Sequence, residues 1–435
     1  MRNNSALRPE VLADLFKASG LKEKIFFTLL MIFVFRLGVH IPVAGLDSAK
    51  IAAMFGSGNL LGLIDMFSGG ALSKFSIFAM GIIPYINSSI IIQLMTSVIP
   101  KLEEMQKEGG EAGRKQLAQI TRYLTIILGT LQSTGMAIAL WRSDAVLGAP
   151  AAGAPPIMFI ISTVVTLIAG TIFIMWMGEQ ITEKGIGNGA SILIFAGIIA
   201  RFPNYFSNTA QAVESGATNW FAVSLLMLVF LVLIVAIIFA SEGARKIPIQ
   251  SAKRQVGNKM YGGRSTYLPF RINQGGVMPI IFASSVLLFP ATLGQFVKSG
   301  WIKTVSDALN PSTMLYSFSY CALIFFFTFF YASLTMNPIE IANNLKRYGS
   351  FIPGYRPGRP TAEYLEKILN RITLLGAFFI SMIALIPMLF EKALGVTTLQ
   401  GLGSTSLLIM VSVAIDLFNQ MQTHLLARQY DGFVK

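Results

Sequence analysis

Ile82 and Ile86 stand four residues apart, and Ser89 and Gln93 continue the same helical face. An apolar constriction made of such side chains closes a pore by dewetting and offers ions nothing to bind. Isoleucines make no specific hydrogen bonds, so the same constriction suits a passing substrate of arbitrary sequence. Ordinary helix packing uses this spacing too. A pore is favoured by the mixed apolar and polar face lying beside a glycine-hinged segment. Bond-making chemistry finds no comparable set. Gly185-Ile-Gly-Asn-Gly189 lacks the Lys-Ser/Thr of a phosphate loop and leads into an apolar run. His40 and His424 are too separated for a metal site, and the single Cys321 can form no internal disulfide. Arg36, Arg122 and Asp416 lie toward the ends of apolar runs, away from the bilayer centre where ion-coupled transporters carry ionisable groups. No Ser–Lys, paired-Asp or His–Glu set occurs at depth. The reading is no enzyme and no cofactor.

The elements that must hold these four residues are membrane spans. Residues 75–99 are uncharged, with Pro84 at mid-span and Asn87 and Ser88 beside the polar pair. Such a stretch crosses a hydrocarbon core of about 30 Å, provided its polar groups face other helices or a wet cavity. Before it, residues 59–67 read as about two turns of helix between glycines, too short to span. The whole chain has 435 residues, 54% apolar and 13% charged, with a mean hydropathy of +0.63. A soluble domain carries about 25% charged residues. The chain therefore reads as one polytopic membrane unit. Ten spans are expected, at 25–41, 75–99, 117–140, 157–177, 186–202, 220–240, 275–297, 314–336, 368–390 and 402–424. An amphipathic segment over 9–19 precedes the first. The basic flank of that first span resembles a signal peptide, but no small-residue cleavage site follows it.

Loop charge orients the bundle. With the N-terminus inside, the inner segments hold 25 Lys and Arg and the outer loops seven, which puts both termini in the cytoplasm. Ten spans divide into five and five, and an odd number per half makes any repeat an inverted one. Pro84 and Pro279 near the polar stretches of spans two and seven suggest that correspondence. The boundaries read as a cytoplasmic N-terminus at 1–24, a first half at 25–202, an external connection at 203–219, a second half at 220–424 and a cytoplasmic tail at 425–435. Two cytoplasmic loops, 241–273 and 337–367, carry clustered charge. The first holds Arg245, Lys246, Lys253, Arg254, Lys259 and Arg264, with Thr266 to Leu268 suited to a strand. Anchoring to anionic lipid and docking on phosphates or an acidic protein face explain it equally. The second holds Arg356 and Arg359 in a proline-stiffened turn, 353–360, which lowers the ordering cost of binding.

Six motifs in register carry a resemblance over nearly the whole chain. They are Phe67-Ser-Gly-Gly-Ala-Leu, Gly81-Ile-Ile-Pro-Tyr-Ile, Gly178-Glu-Gln-Ile-Thr-Glu-Lys-Gly-Ile-Gly-Asn-Gly, Phe282-Ala-Ser-Ser, Asn337-Pro and Pro353-Gly-Tyr-Arg-Pro-Gly. Together they resemble the bacterial SecY family, the channel subunits of the Sec translocon. The resemblance implies an all-α polytopic protein, ten transmembrane helices in two inverted five-helix halves closing as a clamshell. It implies a bacterial plasma-membrane channel that passes unfolded polypeptide and releases apolar segments sideways. By position it implies a pore ring of Ile82, Ile86, Ala190, Ile194, Ile281 and Ile409, with Ala190 standing where the family often has a larger aliphatic. It implies a plug including Leu60, Leu61, Leu63, Ile64, Asp65, Met66, Phe67, Ser68, Gly69 and Gly70, with Asp65 where relatives can carry an amide. Ser89, Gln93, Gln132 and Asn273 become lateral-gate contacts between spans two and three and spans seven and eight. The implied partners are small membrane subunits resembling SecE and SecG, a SecA motor ATPase, a ribosome with its nascent chain, signal peptides and unfolded preproteins, and anionic lipids. An inverted-repeat secondary transporter for small solutes is the alternative.

Overall fold

The computed structural model describes residues 20–47, 50–51, 65, 68–142, 146, 157–251, 254–256, 259–261, 265–296, 308, 313–394 and 404–433. The amphipathic segment expected over 9–19 lies outside them. Each of the ten expected spans carries a helix. In the first half these are α1 (Leu21–Gly38), α2 (Ile83–Val98), α4 (Gly110–Arg142), α5 (Ile157–Lys184) and α6 (Gly189–Ile199). In the second they are α8 (Trp220–Glu242), α9 (Met278–Phe296), α10 (Met314–Thr335), α12 (Arg359–Leu394) and α13 (Ser404–Phe433). Shorter helices join them: α3 (Pro100–Lys107), α7 (Phe202–Glu214) and α11 (Pro338–Arg347). By length and composition, six helical stretches suffice to cross a membrane, or seven when α2 and α3, bent by 102°, count as one.

The exposed side chains identify the solvent. Along α8, Leu226, Phe230, Leu233 and Ile237 recur every three or four residues and are buried. On its other faces Leu228, Leu231, Val235 and Phe239 are each more than half exposed. A helix apolar all round and open on one side has its place in lipid.

Packing within the two halves follows one plan. In the first, α1 packs on α5 and α6, α2 on α4, α4 on α5, and α5 on α6. In the second, α8 packs on α12 and α13, α9 on α10, α10 on α12, and α12 on α13. Taken in order, these are the same five contacts. The halves meet at two seams, where α9 lies against α2 and α4, and where α13 lies against α6.

Several boundaries differ from the sequence reading. Helix in the second span begins only at Ile83; residues 77–82 form turns, and Gly81 has φ 56°. Pro84 is thus the second residue of a 16-residue helix, not the middle of a longer one. A first-turn position accommodates proline because its missing N–H has no intrahelical acceptor there. The connection at 203–219 is largely the helix α7, the loop at 337–367 contains α11 and the start of α12, and α13 runs on through the expected tail to Phe433.

Outside the bundle stands a small sheet. Strands β1 (Ala244–Ser251) and β4 (Ser265–Arg271) pair antiparallel from Ala244↔Arg271 to Gln250↔Ser265, with the strand expected around Thr266 inside β4. Between them β2 (Arg254–Val256) pairs with β3 (Lys259–Tyr261). Strand β5 (Ser350–Phe351) joins the other edge of β1, so the two basic loops share one sheet. Ile247 and Ile249 point inward while Lys246, Pro248 and Gln250 point out, the period of two of a half-buried strand. Ile247 and Phe270 pack with Ile352, Leu365 and Leu369 in a second core at the foot of α12.

Candidate functional site

Two turns of matching sequence set up the centre of the bundle. Gly81-Ile-Ile-Pro84 opens α2 and Gly276-Val-Met-Pro279 opens α9. The glycines have φ 56° and 58°, a region that side chains with Cβ avoid. Each turn swings the chain into a helix whose second residue is proline. Ile86 follows one turn later, its N–H donating to the Ile82 carbonyl at 3.1 Å. Counted from the glycines, Ile86 and Ile281 are equivalent residues of the two halves. The second turn is braced by Asn273, whose Nδ2 donates to the Gly276 carbonyl at 3.0 Å. Helix α6 is started by Asn188, whose Oδ1 accepts from Ser191 N at 3.3 Å. This helix brings Ala190 and Ile194, one turn apart, to the same centre.

Ile82, Ile86, Ile194, Ile281 and Ile409 are all buried, none more than 6% exposed, in one apolar cluster drawn from both halves. Ala190 is half-buried and packs against it. Above the cluster a cavity of about 860 Å³ is lined by Ile86, Ala190, Ile194 and Ile281 together with Ser89, Gln93 and Phe282. The smaller Ala190 has Ile82 for a neighbour: both the Ile82 Cδ1 and the Ala190 nitrogen would lie 3.6 Å from a Cβ at Gly178. At the cavity wall, Arg122 of α4 donates from Nε and Nη2 to both carboxylate oxygens of Glu179 of α5, at 2.9 and 2.7 Å. That bidentate pair ties two helices of the first half.

The expected gate residues divide. Ser89 and Gln93 face the cavity and touch each other, Gln93 Nε2 donating to Ser89 Oγ at 3.4 Å. Gln132 is buried on α4, and Asn273 is the brace just described. Asn87 Nδ2, Gln93 Oε1, Ser133 Oγ and Asn273 Oδ1 are buried with no hydrogen-bond partner among the described residues. All four belong to α2, α4 or the turn opening α9, the elements of the first seam. Asn87 and Ser133 stand beside the expected Ser89 and Gln132 in sequence, and adjacent polar residues do not reveal which of them faces a neighbouring helix.

Of the expected plug, Leu60, Leu61, Leu63, Ile64, Met66 and Phe67 lie outside the described residues. Asp65, Ser68, Gly69 and Gly70 are described, and all are buried. Asp65 forms an ion pair with Arg201 at 2.6 Å. Arg201 is one of the seven outer-loop charges; a single acid in the expected plug and a single base ending the fifth span are the signal for the pair in the sequence. Among the basic residues, Arg245 and Lys246 are exposed on β1, and Arg356 and Arg359 are exposed in the turn before and at the start of α12. Arg359 pairs with Glu363 at 3.3 Å, on the surface. Arg254 and Lys259 lie on β2 and β3; Lys253 and Arg264 fall outside the described residues.

The family model described as SecY matches residues 76–418. The protein translocase subunit SecY of Synechocystis sp. is 46% identical, an alignment covering 100% of this chain and 99% of that one. A solved protein-conducting channel superposes with a TM-score of 0.65 at 17% identity, covering 95% of this chain and 96% of the other. The Sec61 channel of a canine ribosome–channel complex from the endoplasmic reticulum gives 0.62 at 15% identity, covering 95% and 96%. Those two likenesses give the fold, the sequence relatives give the family, and the small-solute transporter alternative falls with them. By the matched family model and by identity over the full chain, the chain belongs to the SecY family: it is a membrane-embedded, protein-conducting channel subunit and not an enzyme.

Proposed function

We propose that the five isoleucines and Ala190 form the waist through which an unfolded polypeptide is passed, with residues 60–72 resting as its plug. The observation that carries this is one cavity lined by Ile86, Ala190 and Ile194 of the first half and Ile281 of the second, with Ile82 and Ile409 buried in the same apolar core. Apolar side chains from both halves seal by excluding water and release any peptide, since no specific bond holds it. The membrane is the bacterial plasma membrane, with both termini and the basic sheet in the cytoplasm, in keeping with the 25-to-seven loop charge. The seam of α9 with α2 and α4 is the lateral gate, where Ser89, Gln93, Gln132 and Asn273 supply polar contacts.

Sorting at that gate follows from partition energies. An apolar residue gains about 0.3–0.6 kcal/mol at the membrane centre, whereas Asp, Lys or Arg costs about 2.5–3.5 kcal/mol. Ten leucine-like residues thus favour lipid by roughly 3–6 kcal/mol once the seam parts. Polar chain gains nothing sideways and must be driven forward by a SecA-like motor or a ribosome. Arg245, Lys246, Lys253, Arg254, Lys259, Arg264, Arg356 and Arg359 supply their docking platform. The kinship with a channel from a ribosome–channel complex supports that reading for the ribosome. SecE- and SecG-like subunits and anionic lipid complete the assembly around the exposed apolar faces. A photoreactive residue at Ile86 tests the proposal: it is expected to crosslink a stalled secretory chain, and the absence of any adduct across chains of graded length overturns it.

A further inference from the structure

We infer that Arg201, assisted by Arg36, holds the root of the plug to the first half, and that the Asp65–Arg201 ion pair sets how readily the resting channel opens. The inference rests on reading residues 60–72 as the plug. Asp65 is 1% exposed, and a carboxylate so far from water must be paired and hydrogen-bonded. It is paired three ways: with Arg201 Nη2 at 2.6 Å, with the Ser73 N–H at 2.8 Å and with Ser68 Oγ at 3.3 Å. Arg201 immediately precedes α7, and its side chain is 20% exposed. From the last turn of α1, Arg36 Nη1 donates to the Gly69 carbonyl at 2.9 Å. Gly69 has φ +69°, and a Cβ there would stand 2.7 Å from the Gly197 Cα of α6, so the root rests directly on backbone.

Every group holding the root in these contacts comes from the root itself or from α1, α6 and the start of α7. Parting the seam between α9 and the α2–α4 pair therefore leaves the root attached. Moving the root requires the buried carboxylate to leave Arg201. Removing one partner strands the other charge, whereas removing both is milder, because no unpaired ion remains. Asp65→Asn is the most conservative break: an amide of the same size still accepts from Ser73 N–H while the attraction to Arg201 is gone.

The test uses the full chain with its partner subunits in planar bilayers, reading the ion conductance of the resting channel. Asp65→Asn and Arg201→Gln are each expected to raise it about tenfold, and the double variant no more than the stronger single, the signature of two residues acting as one unit. Arg201→Lys keeps the charge and is expected to stay within about threefold of the parent. Deletion of residues 60–70 marks the ceiling. If the deletion leaks while both single variants stay at the parent level, the latch is refuted and the plug stands. Effects of the two singles that multiply in the double also refute the latch. If the deletion does not leak, the plug reading itself fails, and the latch with it. Should the arginine variants fail to insert, Asp65→Asn read against the deletion still tests the latch: conductance at the parent level beside a leaking deletion refutes it.

Discussion

The links between spans one and two and between spans six and seven occupy the same slot in the two halves, yet they fold in opposite ways. The first, from Val39 to Ile82, buries Ala71, Leu72 and Phe75 completely or nearly so and turns back into the bundle. The second, from Gly243 to Val277, leaves the bundle as the β1–β4 hairpin with Arg245 and Lys246 in water. Both end alike, in a left-handed glycine, two residues and a proline. Composition decides the difference. One link is glycine-rich and apolar, and its buried acid, Asp65, is paired with Arg201 from its own half. The other has alternating strand residues and seven Lys and Arg against one Glu across residues 241–273. A repeated scaffold thus carries a buried, glycine-rich link in one half and an exposed basic sheet in the other.

Equivalence of the two halves at the buried isoleucines, Ile86 and Ile281, is open to breaking. Ile86→Asn and Ile281→Asn each put an amide into the dry cluster at corresponding positions. Leaving such a group without partners costs about 1–3 kcal/mol, which shifts the balance from dry to wet by roughly ten- to a hundredfold. Resting conductance is expected to rise by that order in both variants and by similar amounts. A rise in only one would mean that the waist is held mainly by that half. The glycines sharpen the comparison at the next level. Gly81→Ala and Gly276→Ala each force a Cβ into a left-handed backbone, at about 1–2 kcal/mol. Equal losses of thermal stability, read by the fraction of detergent-solubilised channel surviving a heat step, are expected. Unequal losses would show that one turn relaxes where the other cannot.

Much of this plan was legible from residue order. Hydropathy alone located ten helices, because an apolar run of some twenty residues has few alternatives in lipid. The strand at Thr266 was legible from its β-branched and aromatic residues. The Ile86–Ser89–Gln93 face on the cavity was legible from its spacing, whereas Ile82, expected on the same face, is the residue before the helix. What stayed hidden depended on contacts distant in sequence. Strand β5 contributes only Ser350 and Phe351, too short for any periodicity, yet it fuses the two basic loops into one sheet. The Asp65–Arg201 pair joins residues 136 positions apart, and a lone charge does not name its partner. The remaining members of the expected ring are legible only through family resemblance, since Ile281 and Ile409 are two isoleucines among many.

Pro84 and Pro279 give the smallest expected effect and the most direct check on how the halves begin. A proline in a helix interior costs about 3 kcal/mol relative to alanine, so replacing one there with alanine should stabilise the protein measurably. At the second residue of a helix the missing N–H has no intrahelical acceptor to satisfy, and the fixed φ is already helical. Pro84→Ala and Pro279→Ala are therefore expected to change stability by no more than about 0.5 kcal/mol. Pro387 lies inside α12 and supplies the internal control. If Pro84→Ala stabilised the channel as an interior replacement should, residues 75–82 would have to be helical, with Pro84 at mid-span. The turn at Gly81 would then be lost, and with it the register that makes Ile86 and Ile281 counterparts. A null result at both prolines leaves that register standing, because it is what two helices opened by the same turn require.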